Sequence, residues 1–189
     1  MSFNQDISSW DVSNIEDFTG LFEGGSFTMA FNQNLNSWNV SSGYEFSYMF
    51  NNTNVTSSTL AGWVVNTGIS SFDFSAMFEN ALYVPTGIGN WNLTSVGTNG
   101  FMTAMFKNCL GTIPDIGAWD ISKVQSMGLM FQNSTFNHDI SSWDITNLNS
   151  GGLNNFMNGV TTFSTANYDA LLIAWEAQAS LASTLSPDF

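Results

Sequence analysis

The side chains best placed to do chemistry fall in a repeated polar column. They are Ser9, Asp11 and Ser13, then Asn39 and Ser41, Asn92 and Thr94, Asp120 and Ser122, and Asp144 and Thr146. Hydroxyls, amides and carboxylates at alternate positions suit recognition of a polar surface. Where two carboxylates come close, oxygen-only ligands favour calcium. Asp120 and Asp144 are the pair for that role, because like charges on adjacent rungs repel unless they are solvated, separated or bridged by a cation. Neither an EF-hand loop nor a calcium-binding nonapeptide is present, so the expectation is a solvated binding face with no resident cofactor.

The raw material for catalysis is thin. His138 is the single histidine and stands in the loop position of Gln5 and Gln33, where a solvent-facing side chain is expected. Cys109 shares a column with Gly25, Thr53, Ala81 and Ser134, all small, which reads as a buried structural thiol and not a nucleophile. One histidine and one cysteine supply neither a triad nor a zinc site. Acids spaced one per repeat offer no pair with separated pKa values. The chain reads as a non-enzyme.

What must position the polar column is a repeat. Asp6-Ile7-Ser8-Ser9-Trp10-Asp11-Val12-Ser13-Asn14 recurs as Asp139-Ile140-Ser141-Ser142-Trp143-Asp144-Ile145-Thr146-Asn147, identical at seven of nine positions. The pattern aliphatic-x-x-Trp-x-aliphatic recurs at Trp10, Trp38, Trp63, Trp91, Trp119 and Trp143, with spacings of 28, 25, 28, 28 and 24 residues. A second apolar element follows each: Leu21-Phe22, Met49-Phe50, Met77-Phe78, Met105-Phe106, Met130-Phe131 and Phe156-Met157.

Period-two alternation around each Trp predicts a strand with the six Trp side chains turned inward and the polar column outward. The i, i+3, i+6 spacing of Ile15, Phe18 and Leu21, or of Val124, Met127 and Met130, predicts a short helix or 3₁₀ turn. The expected fold class is an α/β repeat: an LRR-like solenoid of about six strand-turn-short-helix coils, with a parallel sheet on one face. The boundaries run 3–30, 31–55, 56–83, 84–111, 112–135 and 136–163 within a solenoid spanning 1–163. A C-terminal capping helix and tail occupy 164–189, signalled by Tyr168, Leu171, Leu172 and Trp175. No counterpart caps the first repeat, which leaves an N-terminal edge open to self-association.

Charge narrows the partners. Fifteen acidic residues against two basic ones give a net charge of −13, which repels phosphate backbones and anionic headgroups. Nucleic acid is excluded on this ground, and direct membrane insertion on another: the longest apolar run, Ala170 to Trp175, is too short to cross a bilayer. No signal peptide is visible at Met1–Asp6. The Asn-, Ser- and Thr-rich, Lys-poor surface points to an extracellular setting.

The run Phe3-Asn4-Gln5-Asp6-Ile7-x-x-Trp10-Asp11-Val12-Ser13-Asn14, followed by the Met-Phe element, resembles the BspA-like leucine-rich-repeat surface proteins, built from the bacterial surface protein 26-residue repeat. Asn167-Tyr168-Asp169-Ala170-Leu171-Leu172-Ile173-x-Trp175 is similar to the terminal cap of such proteins. Repeats three and four depart from the pattern: Val64 and Asn92 replace the aspartate, and three residues are inserted before Met-Phe. The resemblance implies an LRR-like solenoid on a cell or virion surface, without a defined catalytic activity. The resulting expectation is a surface-displayed binding or adhesion module for a protein or glycan ligand. The alternative is a structural subunit of an extracellular or virion assembly.

Overall fold

The computed structural model describes residues 3–25, 31–56, 59–65, 71–93 and 99–179. Three-residue strands β1 (Ser71–Asp73), β2 (Asn99–Phe101) and β3 (Val124–Ser126) form one parallel sheet in the order β1-β2-β3. Phe72 pairs with Gly100, and Gly100 with Val124. Gly100 is obligatory here, because a Cβ at this position would lie 2.1 Å from the Phe72 ring. The one α-helix among the described residues, α1, spans Thr165–Ala179.

The expected LRR-like solenoid of about six strand-turn-short-helix coils is therefore not what the chain forms. Strands were expected at every Trp-x-aliphatic segment and helices at every Met-Phe element. Instead, the described sheet holds three short strands that lie before the Met-Phe elements, and the only α-helix among the described residues is α1.

Two local reasons account for the difference. The first is that the aliphatic-x-x-Trp segment closes as a turn in every repeat. Trp10 N–H donates to Ile7 O, Trp38 to Leu35, Trp63 to Leu60, Trp91 to Ile88, Trp119 to Ile116 and Trp143 to Ile140. The side chains of Asp6, Asn34, Asp115 and Asp139 accept the backbone N–H two residues on, at 2.9 Å in each case. A short polar side chain that caps its own turn competes with a strand ladder.

The second reason lies at the Met-Phe element. Ten described non-glycine residues have positive φ, and nine of them fall into two columns. Tyr48, Ala76, Ala104, Leu129 and Asn155 precede the Met-Phe pair, where repeat one has Gly20; Asn52, Asn80, Asn108 and Asn133 follow it. A left-handed residue every fourth position prevents a right-handed helix from propagating. The N–H groups a helix would point back along itself go across to the next repeat instead: Phe18 to Glu45 O, Gly20 to Ser47 O, Phe22 to Met49 O and Gly24 to Asn51 O. The same alternation joins later repeats, as from Phe74, Ala76, Phe78 and Asn80 to Phe101, Thr103, Met105 and Lys107.

One continuous apolar cluster fills the space between the two sides of the repeats, from Ile7 to Trp175. Trp63, Trp91 and Trp119 stack at centroid separations of 6.2 and 6.1 Å, and Phe50, Phe78, Phe106 and Phe131 at 5.5 to 5.8 Å. Helix α1 seats Leu171 and Trp175 in this cluster and leaves Tyr168 and Leu172 exposed. Its first turn is tied down by Ser164 Oγ, which accepts from Asn167 N–H, and by Asn137 Oδ1, which accepts from Ser164 N–H and Asn167 Nδ2. Gln178 reaches back to Trp143 O and Ile145 N–H. Residues 180–189 of the expected 164–189 unit lie outside the described residues.

Candidate binding face

The polar column is built by a second turn just after Trp10, Trp38, Trp119 and Trp143. Ile15 N–H donates to Val12 O, Gly43 to Val40, Val124 to Ile121 and Leu148 to Ile145. Within this turn, Oδ1 of Asp11, Asn39, Asp120 and Asp144 accepts the N–H of Ser13, Ser41, Ser122 and Thr146 at 2.9 to 3.2 Å. The Ser13 and Thr146 hydroxyls also donate to Asp11 and Asp144, at 2.6 Å. The Asp-x-Ser/Thr spacing thus records a turn whose acceptor is the side chain, and one oxygen of each carboxylate is committed to the backbone.

These bonds lower the pKa of Asp11 and Asp120, through the serine hydroxyl first and the serine N–H second, so both carboxylates stay ionised. Ser9, Asp11, Asn39, Ser41, Asn92, Asp120, Asp144 and Thr146 are exposed, and Ser13 and Ser122 half-buried. Thr94 lies outside the described residues.

Of these side chains, the fold brings Asn92 and Asp120 together. They line one open cavity of about 340 Å³ with Gly89, Asn90, Trp91, Leu93 and Ala118. Among the described residues, no three His, Cys, Asp or Glu side chains are grouped to hold a metal ion.

Trp38, Trp63, Trp91, Trp119 and Trp143 lie inward beneath the face, 1 to 4% exposed. Each of the first four donates its indole N–H to the carbonyl of the preceding repeat's aliphatic residue: Ile7, Leu35, Leu60 and Ile88, at 2.8 to 3.0 Å. Trp143 Nε1 is buried without an acceptor among the described residues. Trp10 departs from the inward expectation and is exposed.

His138 is half-buried, and not solvent-facing as expected. Nε2 sits 2.9 Å from Ile113 O, and the ring meets Phe136 edge-on. Cys109 is buried and donates to Phe78 O, and burial pushes its thiol pKa up to about 12.

Two polar rows on the Met-Phe side escaped the sequence reading. Asp17, Glu45 and Asp73 bridge in parallel on successive rungs. Burial first, then the charges of Asp73 and Asp17, raises the Glu45 pKa. The second row is an amide ladder, Asn133 Nδ2 to Asn108 Oδ1 and Asn108 Nδ2 to Asn80 Oδ1, beside the Lys107–Glu79 ion pair at 2.9 Å. A signal was available for each: an acid immediately before Phe18, Phe46 and Phe74, and an asparagine two residues after Phe50, Phe78, Phe106 and Phe131.

Residues 1–81 and 69–170 match the family described as "Mycoplasma protein of unknown function, DUF285". The chain belongs to that family. No curated protein and no solved structure matches it. Among the described residues, no helix is long and apolar enough to cross a membrane.

Proposed function

We propose that the chain is a non-catalytic binding module of the BspA-like kind, displayed on a cell or virion surface, that engages a protein or glycan through its Trp-side polar face. The observation that carries this reading is the recurrence of one exposed, side-chain-capped turn at Asp11, Asn39, Asp120 and Asp144. Such turns hold small polar groups at fixed separations with little conformational entropy left to lose on binding. The cavity lined by Asn92 and Asp120 gives the face a recess, with amide groups and an ionised carboxylate on its walls. The acidic, Lys-poor composition supports display on a surface.

The test is a screen of the full chain against glycan and extracellular-protein arrays, with the double variant Asp120→Asn, Asp144→Asn and a variant blocking the recess, Ala118→Trp, run in parallel. A ligand lost in Ala118→Trp supports the face. A ligand retained by both variants moves the site elsewhere. Calcium-dependent binding abolished by the double variant would assign the carboxylates a cation.

A further inference from the structure

The dipeptide Asn-Gly occurs twice, at Asn99-Gly100 and at Asn158-Gly159. In this pairing an asparagine side chain is open to attack by its own backbone. Glycine has no Cβ to obstruct its nitrogen's approach to the side-chain carbonyl carbon, and its backbone turns freely. The fold treats the two copies in opposite ways.

Asn99 and Gly100 open β2, in parallel register with Ser71 and Phe72. Gly100 is buried and its N–H donates to Lys123 O at 2.9 Å, while Asn99 Oδ1 accepts from Gln125 Nε2 at 2.7 Å. The nucleophile is therefore tied down by the sheet and the electrophile by the neighbouring repeat. The Phe72 ring closes over Gly100 as well.

Asn158 and Gly159 are both exposed. Gly159 has φ 78°, and its N–H has no partner among the described residues. The Asn158 side chain makes one hydrogen bond among those residues, from Nδ2 to Asn155 Oδ1 at 3.5 Å, which is the outer limit for such a bond. The backbone of Asn158 is held by its N–H to Asn155 O at 3.3 Å and by its carbonyl, which accepts from Asn133 N–H at 2.9 Å.

We infer that Asn158 is a site of spontaneous covalent modification in the folded chain, and that the sheet protects Asn99 from the same reaction. The Gly159 nitrogen gives its proton to water and attacks Cγ of Asn158, closing a cyclic imide. The Cγ–Nδ2 bond breaks, and ammonia leaves with a proton taken from solvent. Water then opens the imide at either carbonyl. One route leaves aspartate; the other leaves isoaspartate, in which the main chain runs through Cβ. Water is the only co-reactant.

The product falls on a junction. Asn158 O follows Gly152 O, Asn154 O and Phe156 O in the row of carbonyls that accept from Met127, Leu129, Phe131 and Asn133 of the preceding repeat. Isoaspartate converts the Asn158 carbonyl into a pendant carboxylate and lengthens the main chain by a methylene, so the bond from Asn133 is lost. The inference is independent of the polar-face reading, and either can fail alone.

The test incubates the full chain at mildly alkaline pH, in buffer and in urea. Each Asn-Gly peptide is followed by digestion and by mass spectrometry with fragmentation that separates aspartate from isoaspartate, and Asn158→Ser supplies the blank. In buffer Asn158 should convert at least about tenfold faster than Asn99, because a residue paired in a sheet reacts only through local opening. In urea the two rates should converge. The isoaspartate fraction should lose hydrogen-exchange protection at Asn133 N–H. Equal rates in the folded chain, or an Asn158 that converts only in urea, would overturn the inference. A gap that persists undiminished in urea would assign the difference to flanking sequence and overturn the protection of Asn99, and unchanged exchange at Asn133 would overturn the loss of the junction.

Discussion

The two sides of the repeat are held to their neighbours by different parts of the chain. On the Met-Phe side the backbone does the joining, through N–H groups of alternate residues that donate across to the next repeat. On the Trp side, side chains do most of it: the indole N–H of each of four Trp residues reaches the preceding repeat's carbonyl, and the Ser37, Ser42 and Ser142 hydroxyls reach Ser8, Ser13 and Gly117. A junction made by side chains restricts sequence, whereas one made by the backbone restricts only conformation. That is why the Trp itself recurs in all six repeats, while Gly20, Tyr48, Ala76, Ala104, Leu129 and Asn155 on the other side share a left-handed conformation and not a residue type.

Substitutions should expose the asymmetry, and the largest effect belongs to the Trp side. Trp91 lies between Trp63 and Trp119 in the stack and bonds Leu60 O. Trp91→Ala should cost about 3–5 kcal/mol by denaturant titration. Trp91→Phe keeps most of the apolar volume but strands a buried carbonyl, at about 1–3 kcal/mol. Met105→Leu, a change of similar conservatism on the Met-Phe side, should cost under about 1.5 kcal/mol because no side-chain hydrogen bond is lost. If Met105→Leu proves as costly as Trp91→Phe, the distinction between the two sides fails.

The same asymmetry decides what could be read in advance. Inward Trp residues from Trp38 onward and a buried Cys109 are visible in the sequence because each is a side-chain property with a fixed spacing. The element types are not. Asp-Ile-Ser-Ser-Trp alternates like a strand, yet Asp6 and Asp139 spend an oxygen on the N–H of Ser8 and Ser141 and turn the chain. The Met-Phe spacing mimics a helix, but no side-chain rule announces that Tyr48, Ala76 and Leu129 will be left-handed. Trp10 and Trp38 have the same local sequence pattern, yet the first is exposed and the second buried. The face residues could be listed, while the meeting of Asn92 and Asp120 in one recess depended on how two repeats of unequal length lie together.

Smaller effects follow from charge. The lowered pKa values of Asp11, Asp120 and Asp139 arise from hydrogen bonds made only in the folded chain, so each contributes stability above the ordinary aspartate value of 3.8 that is lost as pH falls through the lowered one. Asparagine does the same turn-capping work at Asn34 and Asn39. The triple variant Asp11→Asn, Asp120→Asn, Asp139→Asn should therefore fold as at present near neutrality and lose less stability than the parent between pH 5 and pH 2, measured by thermal unfolding. On the Met-Phe side the sign reverses. Glu45 has a raised pKa, so its ionised form opposes folding above that value. Glu45→Gln should be slightly more stable than the parent at neutral pH, with the advantage vanishing once the pH drops below the ordinary glutamate value of 4.5. An unchanged pH profile in the triple variant would mean that the turns on the Trp side are capped by something other than the carboxylates.

The smallest effect is also the one most specific to the Met-Phe side. Ala104 has φ 58° and its methyl group is largely buried, whereas Ala81 is buried without a positive φ. Removing a methyl from either costs apolar burial, on the order of 0.8 kcal/mol, and glycine adds about 0.5–1 kcal/mol of backbone entropy lost on folding. At Ala104 the change also relieves a left-handed conformation that costs an L-residue roughly 1–2 kcal/mol. The two contributions nearly cancel, so Ala104→Gly should leave the midpoint of urea unfolding almost unmoved, while Ala81→Gly shifts it down by the equivalent of about 1–2 kcal/mol. Equal losses at the two positions would show that the left-handed column carries no strain at Ala104. The turns would then be maintained by the conformational preference of the chain itself and not imposed by the backbone bonds between repeats.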